Sequence, residues 1–272
     1  MYRILFTDID GTLLNKERNI TLETKKEIER IKSENNIPVI LISSRMPKAM
    51  RHLYEELGLN NPIVPYNGAL ILKSAGMADE TSVMFSSTIP PGIVKTIIQY
   101  KTDCDFHISL YYNNDWYVEG MDYWANREVI STKVIPSVSQ HEVVLRNWEN
   151  KKAGAHKVMC MGNATEIDKL LGLLTAAFPE NLNLYRSKPT FMEITPRAVS
   201  KSTAFKYLLN FLLIDPSEAV AVGDNYNDLE MLKDAGLGIA MGNSPDSVKQ
   251  AADYVTLSNN DNGLAAAVRK FF

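Results

Sequence analysis

At 272 residues the chain has room for one large domain or two modest ones, and 45% hydrophobic against 22% charged residues is ordinary for a globular protein with a sizeable core. Basic residues number 29 and acidic ones 32, giving a net charge of −3; this excludes neutralisation of a nucleic-acid backbone but leaves room for a site for one small anion. Two distant cysteines, Cys104 and Cys160, point to a reducing compartment; no apolar run reaches the roughly 20 residues needed to span a bilayer, and Met1 leads straight into a strand. The expected location is cytoplasmic, with no membrane partner.

Ile4-Leu5-Phe6 reads as a short buried strand, and Thr7-Asp8-Ile9-Asp10-Gly11-Thr12-Leu13-Leu14 follows it. Extended geometry would aim Asp8 and Asp10 into one volume, where two like charges repel unless a cation or a shared proton lies between them. Leu22 to Asn35 is a charge-rich helix capped by Thr21. Pro38 to Ile42 is a strand buried on both faces, ending in Ser43-Ser44-Arg45. Pro47 starts a helix that Gly58 stops, with Met50, Leu53, Tyr54 and Leu57 on its apolar stripe. Ile63 to Tyr66 is another strand, leading into the Asn67-Gly68 turn and Ala69 to Leu72. This alternation predicts a parallel sheet covered by helices.

The rhythm changes near residue 83. A helix from Pro90-Pro91, a hairpin of Phe106–Tyr112 and Asp115–Val118 across Asn113-Asn114, and a helix over Met121–Ile130 are expected. The polar stretch Ser131–Asn150 has no clear period. Then come a strand at Lys157–Met161, an amphipathic helix through Ile167, Leu170, Leu171, Leu174 and Phe178, and two strands at Leu182–Arg186 and Phe191–Ile194. From residue 195 the α/β rhythm returns. Ser200 caps a helix with Lys201 in its first turn, and Ala219–Val222 is a strand ending in Gly223-Asp224-Asn225-Tyr226-Asn227-Asp228. Gly236 stops the next helix, Gly238–Met241 and Asp253–Thr256 are strands, Ser244 caps a helix with Pro245 at its first position, and Gly263–Lys270 closes the chain as a helix. The expected organisation is an α/β parallel-sheet core of residues 1–83 and 191–272, interrupted by an α+β module of residues 84–190.

Ligands of open parallel sheets sit at the carboxyl ends of the strands. Asp8/Asp10, Ser43/Ser44, Lys201 and Asp224/Asn227/Asp228 all fall at that edge. Carboxylate oxygens suit magnesium, and helix N-termini, hydroxyls and a lysine suit a phosphate.

In these same residues the chain resembles the haloacid dehalogenase superfamily. Asp-x-Asp-Gly-Thr-Leu-Leu at 8–14, Ser43, Lys201 and Gly-Asp-x-x-Asn-Asp at 223–228 look like its four motifs. With Asn67-Gly68-Ala69, Glu193-Ile194-Thr195-Pro196 and Ala240-Met241-Gly242-Asn243, the likeness runs the whole length, closest to the Cof-type phosphatases with an α/β cap inserted in a Rossmann-like core. The resemblance implies a Mg²⁺-dependent phosphatase of small phosphorylated metabolites, working through an aspartyl-phosphate. Asp8 would be the nucleophile and Asp10 the acid and base. Mg²⁺ would be held by Asp8, Asp224 and the backbone carbonyl of Asp10. Ser43, the backbone N–H groups of Ile9 and Ser44, Lys201 and Asn227 would hold the phosphoryl oxygens, with Asp228 orienting Lys201 or a metal-bound water. This division of work requires the turn at Gly11 to re-aim Asp10. The family usually has threonine at position 43 and glycine at 44 and 202; here all three are serine. A phosphomutase, a non-catalytic phosphometabolite sensor and a receiver-type domain are the alternatives. In the cap, Tyr111, Tyr112, Trp116, Tyr117, Tyr123 and Trp124 would form core or stack on a leaving group, and His107, His141, His156 and Arg186 have no assigned role. Arg45 would meet a second anionic group or form an ion pair.

Overall fold

A computed structural model describes residues 2–74 and 82–272; Met1 and residues 75–81, which fall inside the expected 1–83 segment, lie outside the described residues. Five parallel strands form the first sheet: β1 (Ile4–Thr7), β2 (Val39–Leu41), β11 (Ala219–Gly223), β12 (Leu237–Ala240) and β13 (Tyr254–Val255), in the order β13-β12-β11-β1-β2. The registers Phe6↔Ile40 and Phe6↔Ala221 seat β1 between one neighbour from each end of the chain. The strand order therefore reverses at β1, which opens a crevice at the carboxyl ends of β1 and β11.

Alternation sorts the strand side chains into two cores. Leu5, Val39, Leu41, Val220 and Val222 pack on one face with α1 (Leu22–Asn35), α2 (Pro47–Glu56) and α10 (Gly263–Phe271). Ile4, Phe6, Ile40, Ala219 and Ala221 pack on the other with α7 (Lys201–Leu212), α8 (Leu229–Asp234) and α9 (Asp246–Ala251). Because both faces are covered, the strands read as unbroken apolar runs. The expected strand at Ile63–Tyr66 reduces to single bridges, Ile42↔Val64 and Ile63↔Leu72. Pro245, not Ser244, precedes the first residue of α9, and no side chain caps that helix. Pro245 supplies a fixed φ but no donor.

The second sheet has the order β7-β6-β5-β8-β10-β9, built from β5 (Phe106–Tyr112), β6 (Asp115–Val118), β7 (Ser137–Val138), β8 (Lys157–Gly162), β9 (Leu182–Lys188) and β10 (Phe191–Pro196). All its pairings are antiparallel except β6 with β7. Helices α3 (Pro91–Gln99), α5 (His141–Lys151) and α6 (Ala164–Ala177) cover its outer face over Ile108, Leu110, Val158, Cys160, Met192 and Ile194. The uncertain stretch Ser131–Asn150 contains β7 and α5, and the helix expected at Met121–Ile130 is α4 (Tyr123–Thr132), capped by Asp122.

The expected boundaries of this module need correction at both ends. Strand β10 pairs with β8 and β9, so residue 190 lies in a hairpin inside the second sheet rather than at its edge. Strand β4 (Val83–Ser86) pairs instead with β3 (Leu70–Leu72), beside the first sheet. A change of hydrophobic rhythm marks where helices stop alternating with strands, not where the chain crosses between layers.

Candidate active site

The crevice at β1 and β11 lies beneath the inner face of the second sheet, and residues of the two line a partly open chamber of about 300 Å³. Its floor carries Asp8, Asp10, Ser43, Ser44 and Asn227. Strand β1 ends at Thr7, before either aspartate, so strict alternation does not govern the pair. Asp8 is buried, 6% exposed. The chain then turns at Gly11, whose φ of +92° is a conformation that favours glycine. A Cβ there would stand 2.4 Å from Asp224 Oδ2, so glycine also makes room for that carboxylate. After the turn, the Asp10 carboxylate faces the chamber and accepts two 2.7 Å hydrogen bonds from Nε and Nη2 of Arg45. The two aspartates thus have different partners.

Lys201 opens α7 behind a capping box formed by Ser200 and Thr203. It is 1% exposed and donates to Asp8 Oδ1 at 2.5 Å and to Asp228 Oδ1 at 2.6 Å. Burial alone would discharge it, but Asp228 and Asp8 hold it charged, above the ordinary lysine range. Asp228 Oδ2 accepts the backbone N–H groups of Asp224 and Asn225, each at 3.0 Å. Both oxygens of Asp228 are therefore engaged. Asp224 accepts from Thr12 Oγ1 at 3.0 Å.

Oxygens of Asp8, Asp224 and Asp228 lie within 4.8 Å of one another, and they are the one such acidic or metal-ligand group among the described residues. Crowding is reflected in their protonation. Burial raises Asp8 well above the carboxylate range, opposed by Lys201 and reinforced by Asp228 and Asp224. Burial and the neighbouring Asp228 push Asp224 up to about 6, while Lys201 and Thr12 pull the other way. Asp10 moves in the opposite direction: burial would raise it, but the hydrogen bonds and charge of Arg45 bring it below its ordinary value. A cluster of hard oxygen donors whose negative charge is poorly compensated fits a divalent cation such as magnesium.

The remaining expected residues differ in placement: Ser43, Ser44 and Asn227 line the chamber, while Ile9 packs in the core. Ile9 is fully buried, its carbonyl accepting from Leu14 N–H at 3.0 Å. Ser43 is 1% exposed and its Oγ accepts from Arg45 N–H at 3.2 Å. Asn227 Nδ2 donates to Asn67 Oδ1 at 3.2 Å. Ser202, one of the serines in place of glycine, donates to the Asp234 carboxylate. Arg45 resolves as an ion pair with Asp10.

Five chamber residues from the second sheet were not anticipated as such: Lys157, Met159, Tyr185, Lys188 and Phe191. Lys157 Nζ donates to Ser44 O at 2.9 Å and lies 4.6 Å above the ring of Tyr111. A lysine opening an otherwise apolar strand was the one signal available. Glu193 also faces the chamber; it appeared in the sequence only as part of the approach to Lys201. Of the six aromatics singled out in the cap, Tyr111 lines the chamber, while Trp116 is 2% exposed and stacked on Tyr111 in the core. His107 bridges Asp122 and Ser109, and His156 stacks between Tyr66 and Tyr112.

Residues 5–268 match the family model of the haloacid dehalogenase-like hydrolases. A protein of Haemophilus influenzae is 34% identical over all of this chain and 99% of its own length. One 5-amino-6-(5-phospho-D-ribitylamino)uracil phosphatase of Bacillus subtilis is 28% identical over 98% of this chain and 94% of its own. Among solved structures, a haloacid dehalogenase-like hydrolase from Bacteroides thetaiotaomicron superposes with a TM-score of 0.87 at 28% identity, each chain covered in full. With a match that leaves out only the first and last few residues, and with a fold shared end to end, this chain belongs to the haloacid dehalogenase-like hydrolases.

Proposed function

We propose that the protein hydrolyses phosphate monoesters of small metabolites in two steps through a phosphorylated Asp8. The observation that carries this reading is a buried carboxyl group, Asp8, gripped by Lys201 at the bottom of a partly open chamber with a second carboxylate, Asp10, at its side. Asp8 accepts from Lys201 through Oδ1, and with Lys201 and the metal favouring its ionised form it would attack phosphorus as the alkoxide departs. Lys201, the Ser43 hydroxyl, Asn227 and the backbone N–H groups of Ile9 and Ser44 would receive the charge that spreads over the phosphoryl oxygens.

Asp10 is suited to move the proton. Its pair with Arg45 keeps it ionised in the free enzyme, the form that takes a proton from the water attacking phospho-Asp8. Protonating the leaving oxygen in the first step needs the acid form, and a phosphate dianion arriving beside Asp10 favours it by like-charge repulsion. Asp8, Asp224 and the carbonyl of Asp10 would hold Mg²⁺, which when bound offsets the repulsion between these carboxylates and the phosphate. Asp228, with both oxygens engaged, positions Lys201 and the Asp224 loop rather than the metal.

The test is p-nitrophenyl phosphate hydrolysis by wild type and Asp8→Asn with and without Mg²⁺. Activity is expected only for wild type with the metal, and an Asp8→Asn protein of undiminished rate would refute the assignment.

A further inference from the structure

A second cavity, of about 580 Å³ and so within the range of small-molecule sites, opens at the far end of the second sheet. The β5–β8 ladder spans the distance between the two sites: the pair Tyr111↔Lys157 lies at the chamber and the pair Phe106↔Gly162 at the cavity, roughly 17 Å further along the strand. His141, the first residue of α5, lines this cavity at 1% exposure, and neither Nδ1 nor Nε2 has a hydrogen-bond partner. Nδ1 stands 3.6 Å from Glu119 Oε1, too far for a hydrogen bond. Burial pulls the ring below the ordinary histidine range, against the opposing charge of Glu119, so it is neutral and offers one donor and one acceptor. The chain itself fills neither.

The surroundings decide what chemistry completes it. The other histidine of the cavity, His107, is already satisfied by Asp122 and Ser109, and Asn163 Oδ1 is spent on capping α6. Among the described residues no three His, Cys, Asp or Glu ligand atoms of this cavity come within 4.8 Å of one another, a spacing too wide for a bare metal ion. Three carboxylates line it, Asp105, Glu119 and Asp122, against the single ammonium of Lys101. Lys101 reaches Glu119 Oε2 only at 3.4 Å, from a side chain 40% exposed, and surface pairs of this kind hold weakly. Glu119 also accepts the His141 backbone N–H at 3.3 Å, and Asp122 accepts that of Ala125 at 2.8 Å, so the N-termini of α5 and α4 already have their anions. A further anion would meet uncompensated carboxylates, whereas an ammonium is attracted by them. Tyr123, an exposed ring, and Trp124 line the same cavity, and aromatic rings add to that attraction.

We propose that this cavity is a second binding site, which takes a small organic amine as its ammonium ion, with Glu119 and the acceptor nitrogen of His141 receiving the N–H groups and Tyr123 and Trp124 lining the cationic end. The ligand's ammonium replaces the loosely held one of Lys101, whose exposed side chain moves into solvent. The site is independent of phosphoryl transfer and stands whether or not Asp8 is the nucleophile.

The test titrates the full chain, histidine-labelled for NMR and held in Mg²⁺ to keep amines off the carboxylates of the floor, with three four-carbon compounds: butane-1,4-diamine, butane-1,4-diol and succinate. At pH 8 the His141 ring signals should shift and saturate with the diamine, at a Kd about 10-fold or more below that of the diol, the gain expected of a charge-assisted hydrogen bond. Succinate should leave them in place. Glu119→Gln should weaken the diamine by about 10-fold. Gly120 also lines the cavity, and a Cβ on it would have nothing within 4 Å, so Gly120→Leu fills the space without a clash. That variant should keep the wild-type melting point and lose the diamine-induced shift. A diol that binds as tightly as the diamine, saturation by succinate, a shift that persists in Gly120→Leu, or no saturable shift with the diamine overturns the proposal, and none of these outcomes bears on the phosphatase reading.

Discussion

Lys201→Met tests the electrostatic construction of the floor through stability as well as rate. The ammonium is 1% exposed and is shared by Asp8 and Asp228, whose oxygens lie within 4.8 Å of each other and of Asp224. Methionine keeps most of the volume and removes the charge. Two unit charges about 4.8 Å apart repel by roughly 3.5 kcal/mol at an effective dielectric of about 20. Breaking a buried ion pair by deleting one partner costs about 3–5 kcal/mol in measured cases. We therefore expect the variant to lose about 3–5 kcal/mol of unfolding free energy at pH 8 in chelator, seen as a melting point lower by roughly 10 °C. The sign of the pH dependence follows from Asp8. Its carboxyl is already raised by burial, and without Lys201 it rises further. A carboxyl raised in the folded state favours folding at low pH, and that contribution is lost as pH climbs through the folded value. The penalty should therefore be smaller at pH 5 than at pH 8. Mg²⁺ should restore part of it, up to about 2.7 kcal/mol at a hundredfold excess over its Kd. Urea unfolding at the two pH values, with and without Mg²⁺, measures all three. A loss below about 1 kcal/mol at pH 8, or an equal loss at both pH values, would show that Lys201 does not hold this cluster together.

Three further outcomes are expected. Gly11→Ala should lower Mg²⁺-dependent activity by at least tenfold, roughly the 1.4 kcal/mol of a modest backbone strain, because its Cβ would displace the Asp224 carboxylate; calorimetry should show weaker Mg²⁺ binding, and wild-type affinity would contradict the geometry. Arg45→Met frees Asp10 from its counter-charge, so Asp10 titrates higher and the acid limb of kcat moves up in pH; an unmoved limb would detach Asp10 from the proton transfer. Burial moves His156 down to about 3, so it should stay neutral at pH 5 in histidine-labelled NMR spectra. Folding then loses support as pH falls from 6.5 toward 3, by about 2 kcal/mol at pH 5, and a His156 that titrates near 6.5 would sink the argument.

Backbone chemistry explains which parts of the fold were legible. Helix starts with a side-chain cap or a proline at the first position could be placed from sequence, as with Thr21, Pro47 and Ser200. Strands buried on both faces were equally plain. What failed was the join between layers. Strands β9 and β10 have the same composition whichever sheet they enter, and only the pairing of Glu193 with Met159 and Tyr185 assigns them. Ser131–Asn150 failed for a different reason: α5 buries only Val144, Leu145, Trp148 and the polar His141, too few apolar residues to print a period.

The same contrast divides the candidate site. Its floor is made where chain-local turns meet strand ends: Asp8, Asp10, Ser43, Asp224 and Asp228 each sit within a few residues of a strand's carboxyl end, so sequence order predicts where they meet. Even there the partners were not readable. Arg45 and Asp10 lie 35 positions apart, and nothing local says that the guanidinium turns inward to grip the carboxylate with two hydrogen bonds. The roof is made of alternate residues from strands that pair over long distances, so one register step would point Glu193 and Tyr185 into the other core. A polar residue on a buried strand was the available signal, and it gains meaning only once the facing atoms are known.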